Sequence, residues 1–151
     1  MDDVAVNAQS RLTPLAIVFA IILVIPCFFI AGIVVVIYSF FTEISMSRYG
    51  DGVSWIPFLS GFFHVLWTVI FPEAIRGFVA ALSALSATFF LFKRANKETV
   101  TYSVMTVYLL IAAATIALSL LQRGRTVDVL GIAGLAAGMV FGAGMALGVI
   151  R

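Results

Sequence analysis

Charge is scarce in this 151-residue chain, and that scarcity excludes an ordinary soluble domain. Charged side chains make up 11% of the residues and hydrophobic ones 63%, with a mean hydropathy of +1.18. Soluble domains typically carry about 25% charged residues. Four spans of about 20 residues with their connectors would use the whole length. The composition therefore predicts a single polytopic membrane domain over residues 1–151.

Histidine and cysteine are also scarce, since the chain has one of each, His64 and Cys27. With no second histidine and no carboxylate cluster at ligand spacing, we expect no metal ion, and no sequence pattern indicates another cofactor. The sequence offers no nucleophile with a base and no glycine-rich phosphate loop, so we expect no enzyme activity. Its nine basic residues form no stripe, which argues against a nucleic-acid partner.

Four long apolar stretches predict transmembrane helices one to four, at about 14–41, 72–92, 97–122 and 127–150. The apolar run after Arg11 is too long for a cleaved secretory signal, so we interpret it as a retained helix. Residues 1–13 are predicted to be a loose tail, with Thr13 as the N-cap and Pro14 in the first turn.

Two residues in these helices have more specific predicted roles. Pro26 removes a backbone donor inside helix one and is a candidate hinge. Asn96 is the predicted N-cap of helix three.

Residues 55–71 predict a different kind of segment. The 17 residues from Trp55 to Phe71 are too few for a comfortable straight span, and Pro57 and Pro72 bracket a plausible helix. Ser60, His64 and Thr68 form a polar stripe on it. We expect an interfacial or re-entrant amphipathic helix that does not cross the membrane. The predicted fold class is an all-α membrane protein, with four transmembrane helices plus this helix between helices one and two.

The ionisable residues of the Trp55–Phe92 stretch are His64, Glu73 and Arg76. They are the candidate proton, ion or gating site, because polar groups at membrane depth are often functional. The alternatives are an interfacial histidine and a Glu73–Arg76 pair at the headgroup boundary, worth only about 0 to 1 kcal/mol. The sequence leaves both interpretations open.

Helix four carries the strongest packing signal. Its glycines form a small-x-x-x-small ridge that predicts close helix packing and oligomerisation, through Gly131, Gly134, Gly138 and Gly142. A second small face lies about 120° away on a helical wheel, at Ala133, Ala137, Gly144 and Gly148. Two such faces favour two close partners: a helix of the same chain and a second copy or another subunit, although a four-helix bundle could use both faces internally.

The distribution of positive residues gives a weak preference for orientation. With four spans, the side that holds both termini collects five basic residues against three in the true loops of the other side, which favours cytoplasmic termini. We expect a multi-pass protein of a bacterial inner (cell) membrane, with the lipid bilayer and either itself or another membrane subunit as partners.

The functional prediction follows from these features. We expect a non-enzymatic protein that acts through assembly, as a homo-oligomer or as a subunit or sensor of a larger membrane complex. The alternative is a small pore or transporter that uses the His64, Glu73 and Arg76 segment.

Overall fold

The computed structural model is helical in the part of the chain that it describes, apart from the connector at 92–96. It describes the backbone of residues 2–49, 61, 63–121 and 126–149, and the side chains of 12–42, 61, 63–121 and 129–148. We label its helices α1 (Asp2–Tyr49), α2 (Phe71–Leu91), α3 (Lys97–Leu121) and α4 (Thr126–Val149). Four helices are long and apolar enough to cross a membrane, which fits a multi-pass membrane protein. No strand occurs among these residues.

The helices run alternately up and down. In α1, Phe19 contacts Phe92 and Tyr38 contacts Trp67, so α1 and the second span are antiparallel. In α4, Gly134 lies against Ile70 and Gly142 against Phe78, so α4 runs parallel to α2. The main helix contacts follow the cyclic order α1, α2, α4, α3. This is the arrangement of a four-helix bundle, in which α2 and α3 are diagonal to each other.

The start of the first span and the end of the last span lie at the same end of the bundle. The backbone N–H of Asn96, in the connector between α2 and α3, donates to the Thr13 hydroxyl at 3.2 Å. The last turns of α4 point the same way as those of α2. This geometry agrees with the predicted topology of four spans. It also sets Lys93 and Arg94 beside the start of the first span.

The hydrophobic core fills the half of the bundle nearest this connector. Leu85 and Thr88 of α2 and Val100 and Val104 of α3 are its largest fully buried side chains. The small residues around them allow close helix approach and include Ala16, Ala20, Ala81, Ala84, Ala143 and Ala146. We call this the closed half.

The first helix is longer than the sequence predicted. α1 has 48 residues and contains both Pro14 and Pro26 in its interior. Its apolar part is Leu12–Thr42. The predicted loose tail at 1–13 is therefore helical from Asp2, because a proline removes one backbone donor but does not stop a helix whose neighbouring bonds persist. The hinge at Pro26 stays a prediction.

The second span also begins earlier than predicted. The regular helix α2 starts at Phe71, close to the predicted 72–92, but a π-helical turn at Leu66–Ile70 continues into it. The span runs from Phe63 to Leu91, 29 residues. Residues 63–71 of the predicted interfacial helix 55–71 are therefore the first turns of this span, and 55–60 and 62 lie outside the described residues.

The π-helical turn gives a physical reason for this continuity. The Phe71 N–H donates to the Leu66 carbonyl, five residues back. A proline inside a helix cannot donate the backbone hydrogen bond to the carbonyl four residues before it. Widening one turn to the π-helical pattern changes the bonding partners around the proline, so the helix continues past it.

The remaining helix boundaries agree with the sequence to within a residue. α3 was predicted at 97–122 and α4 at 127–150; Gln122 and Ile150 lie outside the described residues. The predicted N-cap is confirmed, because the Asn96 side-chain oxygen accepts the Thr99 N–H at 3.1 Å.

Candidate functional site

Two charged side chains lie near mid-depth of the bundle. Because the second span runs from Phe63 to Leu91, Glu73 and Arg76 are near its centre, and neither sits at its start. Arg76 contacts Phe28, which is itself near the middle of the Leu12–Thr42 span. The sequence left open whether the pair lies at the headgroup boundary or deeper, and the length of the second helix places it near the middle of that helix. A charge at the centre of a spanning helix costs about 2.5 to 3.5 kcal/mol on insertion scales.

The two side chains form an ion pair. Nη1 of Arg76 lies 3.0 Å from Oε1 of Glu73 and 3.3 Å from Oε2, so one nitrogen serves both carboxylate oxygens. The spacing of three residues on one helix face permits this contact. The side chains retain exposed fractions of 27% for Arg76 and 29% for Glu73. The pair is therefore neutral as a unit but incompletely enclosed by the chain.

Neighbouring helices hold the pair from both sides. The Arg76 guanidinium carbon lies 5.2 Å from the centre of the Phe28 ring of α1, within range of a cation–π contact. On the other side, a Cβ at Gly131 of α4 would lie 3.7 Å from the Glu73 Cγ. The Arg76 Nε is buried and has no hydrogen-bond partner. The guanidinium thus keeps unused donor capacity toward a further acceptor.

The direction of Glu73 can be read from the helix geometry of α2. At 3.6 residues per turn, Glu73 lies about 60° from Arg76 and about 40° from Gly77. Arg76 faces α1, and Gly77 faces Leu135 and Met139 of α4. The core residues Ala81 and Leu85 of the same helix lie about 80° and 120° from Glu73, whereas Leu91, which is exposed, lies in the direction of Glu73. Glu73 therefore points toward the edge of the α2–α4 contact and not toward the packed core.

α3 is not buried at the depth of this pair. The inner face of α3 is buried at Val100, Thr101, Val104 and Met105, but no residue from Thr106 to Leu121 is buried. The same face continues at helical spacing through residues that are intermediate or exposed: Tyr108, Ile111, Ala112, Thr115 and Ser119. We call this part of the bundle, away from the connector, the open half. The ion pair lies where the closed half gives way to it.

A second contact between α1 and the second span stabilises the open half. The Tyr38 and Trp67 rings stack with centres 6.4 Å apart, and Trp67 stacks on Phe71 at 4.9 Å. The Tyr38 hydroxyl lies 3.5 Å from the Trp67 carbonyl, a long hydrogen bond. In a π-helix the carbonyl of residue 67 would accept a hydrogen bond from the backbone N–H of residue 72. Residue 72 is a proline and has no N–H, so this bond cannot form. A tyrosine from α1 thus faces the backbone acceptor that the proline leaves open.

The structure separates His64 from the other two predicted site residues. His64 is exposed at the beginning of the span, and its carbonyl accepts the Thr68 hydroxyl at 2.6 Å. It lies nine positions before Glu73, about 14 Å along a helix. The predicted set of three therefore divides into a mid-depth pair and one histidine near the end of the span.

The glycine ridge of α4 packs against α2 of the same chain. A Cβ added to Gly138 would overlap the Ala74 carbonyl oxygen, and one added to Gly142 would overlap that of Phe78. Gly134 is similarly close to the Ile70 carbonyl oxygen, at 2.7 Å from the added Cβ, and Gly131 is in ordinary contact with Val69. The predicted close packing occurs within the chain. In this structure the ridge is consequently not available as a surface for oligomerisation.

The second small face of α4 has no such neighbour. Ala133, Ala137, Gly144 and Gly148 are exposed, and a Cβ at either glycine would meet nothing within 4 Å. An open groove of about 450 Å³ runs along the C-terminal part of this face, lined by Val140, Phe141, Gly144, Met145 and Gly148. The two small faces of one helix therefore differ: one is filled by α2 and the other is open.

Comparison of the chain with protein-family models, with curated proteins and with solved structures finds no match in any of the three. The functional argument therefore rests on the site alone.

Sequence reasoning did not identify several residues that shape the site. Phe28 was one of many apolar residues in a long run, and nothing in its spacing marks a contact with Arg76. Tyr38 carried a usable signal, because a tyrosine well inside an apolar span needs a hydrogen-bond partner for its hydroxyl.

Proposed function

We propose that this chain is a non-enzymatic, multi-pass protein of a bacterial inner (cell) membrane that acts through assembly. In this proposal it works as a homo-oligomer or as a subunit or sensor of a larger membrane complex. The observation that carries the proposal is the open small face of α4, at Ala133, Ala137, Gly144 and Gly148. Small residues on a spanning helix allow another helix to approach to backbone contact.

The contrast between the two faces of α4 supports this assignment. Against α2, glycines at the same spacing permit carbonyl contacts that any side chain would block. The open face also consists of small residues at helical spacing, but no helix packs on it. Phe141 and Met145 border it with exposed fractions of 73% and 49%. A helix that packs there would gain van der Waals contact along the groove, which is the main driving force for association inside a bilayer.

The charged pair supports a non-enzymatic role. Glu73 and Arg76 neutralise each other, and Phe28 and α4 hold them from both sides. A group that acts as an acid, a base or a nucleophile needs a free reactive atom beside a substrate position. A paired carboxylate on a packed helix is better suited to assembly or gating.

Substitutions on the open face test the proposal. Gly144→Leu and Gly148→Leu should leave each copy folded, since nothing lies within 4 Å of either Cβ position. Native mass spectrometry and crosslinking in membranes should then show the complex reduced to single chains. Gly32→Leu, the same change in α1, where an added Cβ also meets nothing within 4 Å, is the matched control and should keep the native size. An unchanged size in both α4 variants would rule out this face as the association surface.

A second candidate function is a small pore or transporter that uses the His64, Glu73 and Arg76 segment. The mid-depth position of the pair favours it, because charged residues at this depth often mark ion or proton pathways. The test is ion and proton flux in liposomes that contain the purified protein. Flux that is present in the native chain and lost in Glu73→Gln/Arg76→Gln supports transport, and no flux above empty liposomes contradicts it.

A further inference from the structure

We infer that the turn between α2 and α3 binds the headgroup of an anionic phospholipid, whose acyl chains lie against the exposed end of α2. We call residues 92–95 the basic turn, because Lys93 and Arg94 occupy its corner. The inference goes beyond assembly, since it concerns a lipid and a single copy of the chain.

Backbone hydrogen bonds fix the basic turn at both of its ends. The Phe92 N–H donates to the Thr88 carbonyl at 2.8 Å, and the Ala95 N–H donates to the Phe92 carbonyl at 3.0 Å. The second bond joins residues three apart, as in a β-turn with the two basic residues at its corner. Ala95 is buried, and the Asn96 N–H donates to the Thr13 hydroxyl of α1. The corner residues therefore lie on an ordered backbone, so a ligand would bind without having to order it.

Both corner residues carry a charge that no described residue neutralises. Lys93 and Arg94 are exposed, and neither forms an ion pair with a described residue. The Nζ of Lys93 lies 5.4 Å from the centre of the Phe90 ring, so the ammonium stays close to the last turn of α2. Lysine binds phosphate as a point charge, and arginine binds it through two parallel hydrogen bonds. Two adjacent cations of these types offer a site for one phosphate group.

The surface beside the basic turn is apolar and suits acyl chains. Phe90 and Leu91, the last two residues of α2, are both more than half exposed. The second apolar span ends at Leu91, so the two cations follow directly after its end. In a bilayer this order places the exposed apolar side chains in the outer hydrocarbon layer and the cations at the level of the lipid phosphates. A phospholipid has the same order of groups, because its phosphate follows its acyl chains.

The local charge favours an anionic lipid over a zwitterionic one. Lys93, Arg94 and Lys97 contribute three positive charges and Glu98 one negative charge, so the basic turn and the first two residues of α3 carry a net charge of +2. A lipid with a net negative charge is attracted to this end of α2. The headgroup of phosphatidylcholine also carries an ammonium, which the same cations repel. Each basic residue near the membrane surface strengthens binding of anionic lipid about 5-fold.

Native mass spectrometry of the full-length protein in detergent tests this site. The probes are phosphatidylglycerol and phosphatidylcholine with identical acyl chains, titrated separately. The test variant is Lys93→Gln/Arg94→Gln, and thermal unfolding checks that it is folded. Arg123→Gln/Arg125→Gln, between α3 and α4, removes the same charge elsewhere in the sequence and is the matched control. Lys93→Arg/Arg94→Lys conserves both charges at the turn.

We expect the native chain to bind phosphatidylglycerol more tightly than phosphatidylcholine by about 10-fold or more, because two cations contact the phosphate. Lys93→Gln/Arg94→Gln should lose this preference. The control and the charge-conserving variant should keep it. An excess of glycerol 3-phosphate, the soluble headgroup analogue, should displace little lipid, because it has no acyl chains to contact Phe90 and Leu91.

Three results would overturn the inference. Equal binding of the two lipids by the native chain would show that the protein does not recognise lipid charge. An equal loss in Lys93→Gln/Arg94→Gln and in the control would show attraction to net charge without a site at the basic turn. Displacement of the lipid by glycerol 3-phosphate would assign the turn to a soluble anion. The same spectra give the number of chains in the complex, so failure of this inference is distinguishable from failure of the proposed assembly.

Discussion

The closed and open halves of this bundle are built from the same four helices but pack in different ways. In the closed half, Leu85, Val100 and Val104 belong to one packed layer and are at most 2% exposed. In the open half, a charged pair and a π-helical turn occupy α2 while α3 has no buried residue beyond Met105. The comparison shows that similar apolar composition does not imply similar packing. What differs is how far α3 is covered by its neighbours: it is buried at Val100, Val104 and Met105 and at no residue from Thr106 to Leu121.

The same contrast explains where polar groups can be placed. Thr88 in the closed half is fully buried, and its hydroxyl donates to the Ala84 carbonyl at 2.7 Å within its own helix. Glu73 and Arg76 are stabilised by each other and by the contact of Arg76 with the Phe28 ring, but 29% and 27% of their side-chain surfaces stay exposed. A hydroxyl that donates to a carbonyl of its own helix can be buried in an apolar layer without water. A charged pair with exposed surface requires a polar neighbour or water.

The largest expected effect is at the α2–α4 contact, which spans both halves. Gly138→Ala should destabilise the fold by more than the about 1–3 kcal/mol that overpacking typically costs, because its new Cβ would overlap backbone atoms of Ala74, which cannot move aside as a side chain can. Thermal unfolding of the purified protein measures it. Gly144→Ala, on the open face of the same helix, is the matched control and should be neutral or slightly stabilising. Equal stability of the two variants would show that α2 and α4 are not in backbone contact.

The next largest effect concerns the ion pair that separates the two halves. Glu73→Gln leaves Arg76 charged without its partner, at a cost of about 2.5 to 3.5 kcal/mol if the site is at the centre of the span. The double variant Glu73→Gln/Arg76→Gln should recover most of the loss in membrane insertion and thermal stability. Simple addition of the two single-variant effects would contradict a pair and place the two side chains in independent environments.

A smaller effect compares leucines in and out of the core. Leu85→Ala should reduce stability by about 2 kcal/mol, at the low end of soluble-core values, since lipid rather than water surrounds the separated helices. Leu110→Ala, on the exposed face of α3, should change the midpoint of thermal unfolding little. If the two variants unfold alike, the packed layer of the closed half does not hold the bundle together.

The smallest effect compares two tyrosine hydroxyls. Tyr108 donates to the Ile21 carbonyl at 2.8 Å, while Tyr38 is 3.5 Å from that of Trp67. Interhelical hydrogen bonds in membranes average about 0.6 kcal/mol. Tyr108→Phe should therefore lose roughly that amount and Tyr38→Phe less, as measured by reversible unfolding in mixed micelles. A larger loss for Tyr38→Phe would mean that the carbonyl left by Pro72 depends on this hydroxyl.

Much of the helical architecture follows from local sequence. Apolar length predicts the four helices, and the N-cap at Asn96 appears as predicted because capping depends on residues three positions apart. The interfacial helix at 55–71 was not found where the structure describes this stretch. A short apolar run before a proline suggests a helix that ends at the proline. A π-helical turn lets the helix continue past it, and this was not considered for Pro72.

The site was predictable in its members but not in its arrangement. Glu73 and Arg76 stand out in any apolar stretch, and their spacing predicts an ion pair. Their depth does not follow from spacing, because it depends on where the span begins. His64 was grouped with them by proximity in sequence, and helix rise separates them.

By itself, the sequence determined the number of apolar helices, the small faces of α4 and the charges that interrupt the second span. These properties depend on residue type and on the period of a single helix. The tertiary structure decided that the ridge at Gly138 meets Ala74 of the same chain, that Arg76 reaches Phe28, and that α3 leaves one half of the bundle uncovered. A helix period specifies which residues share a face, but the neighbour of that face is selected by the competing packing of all four helices.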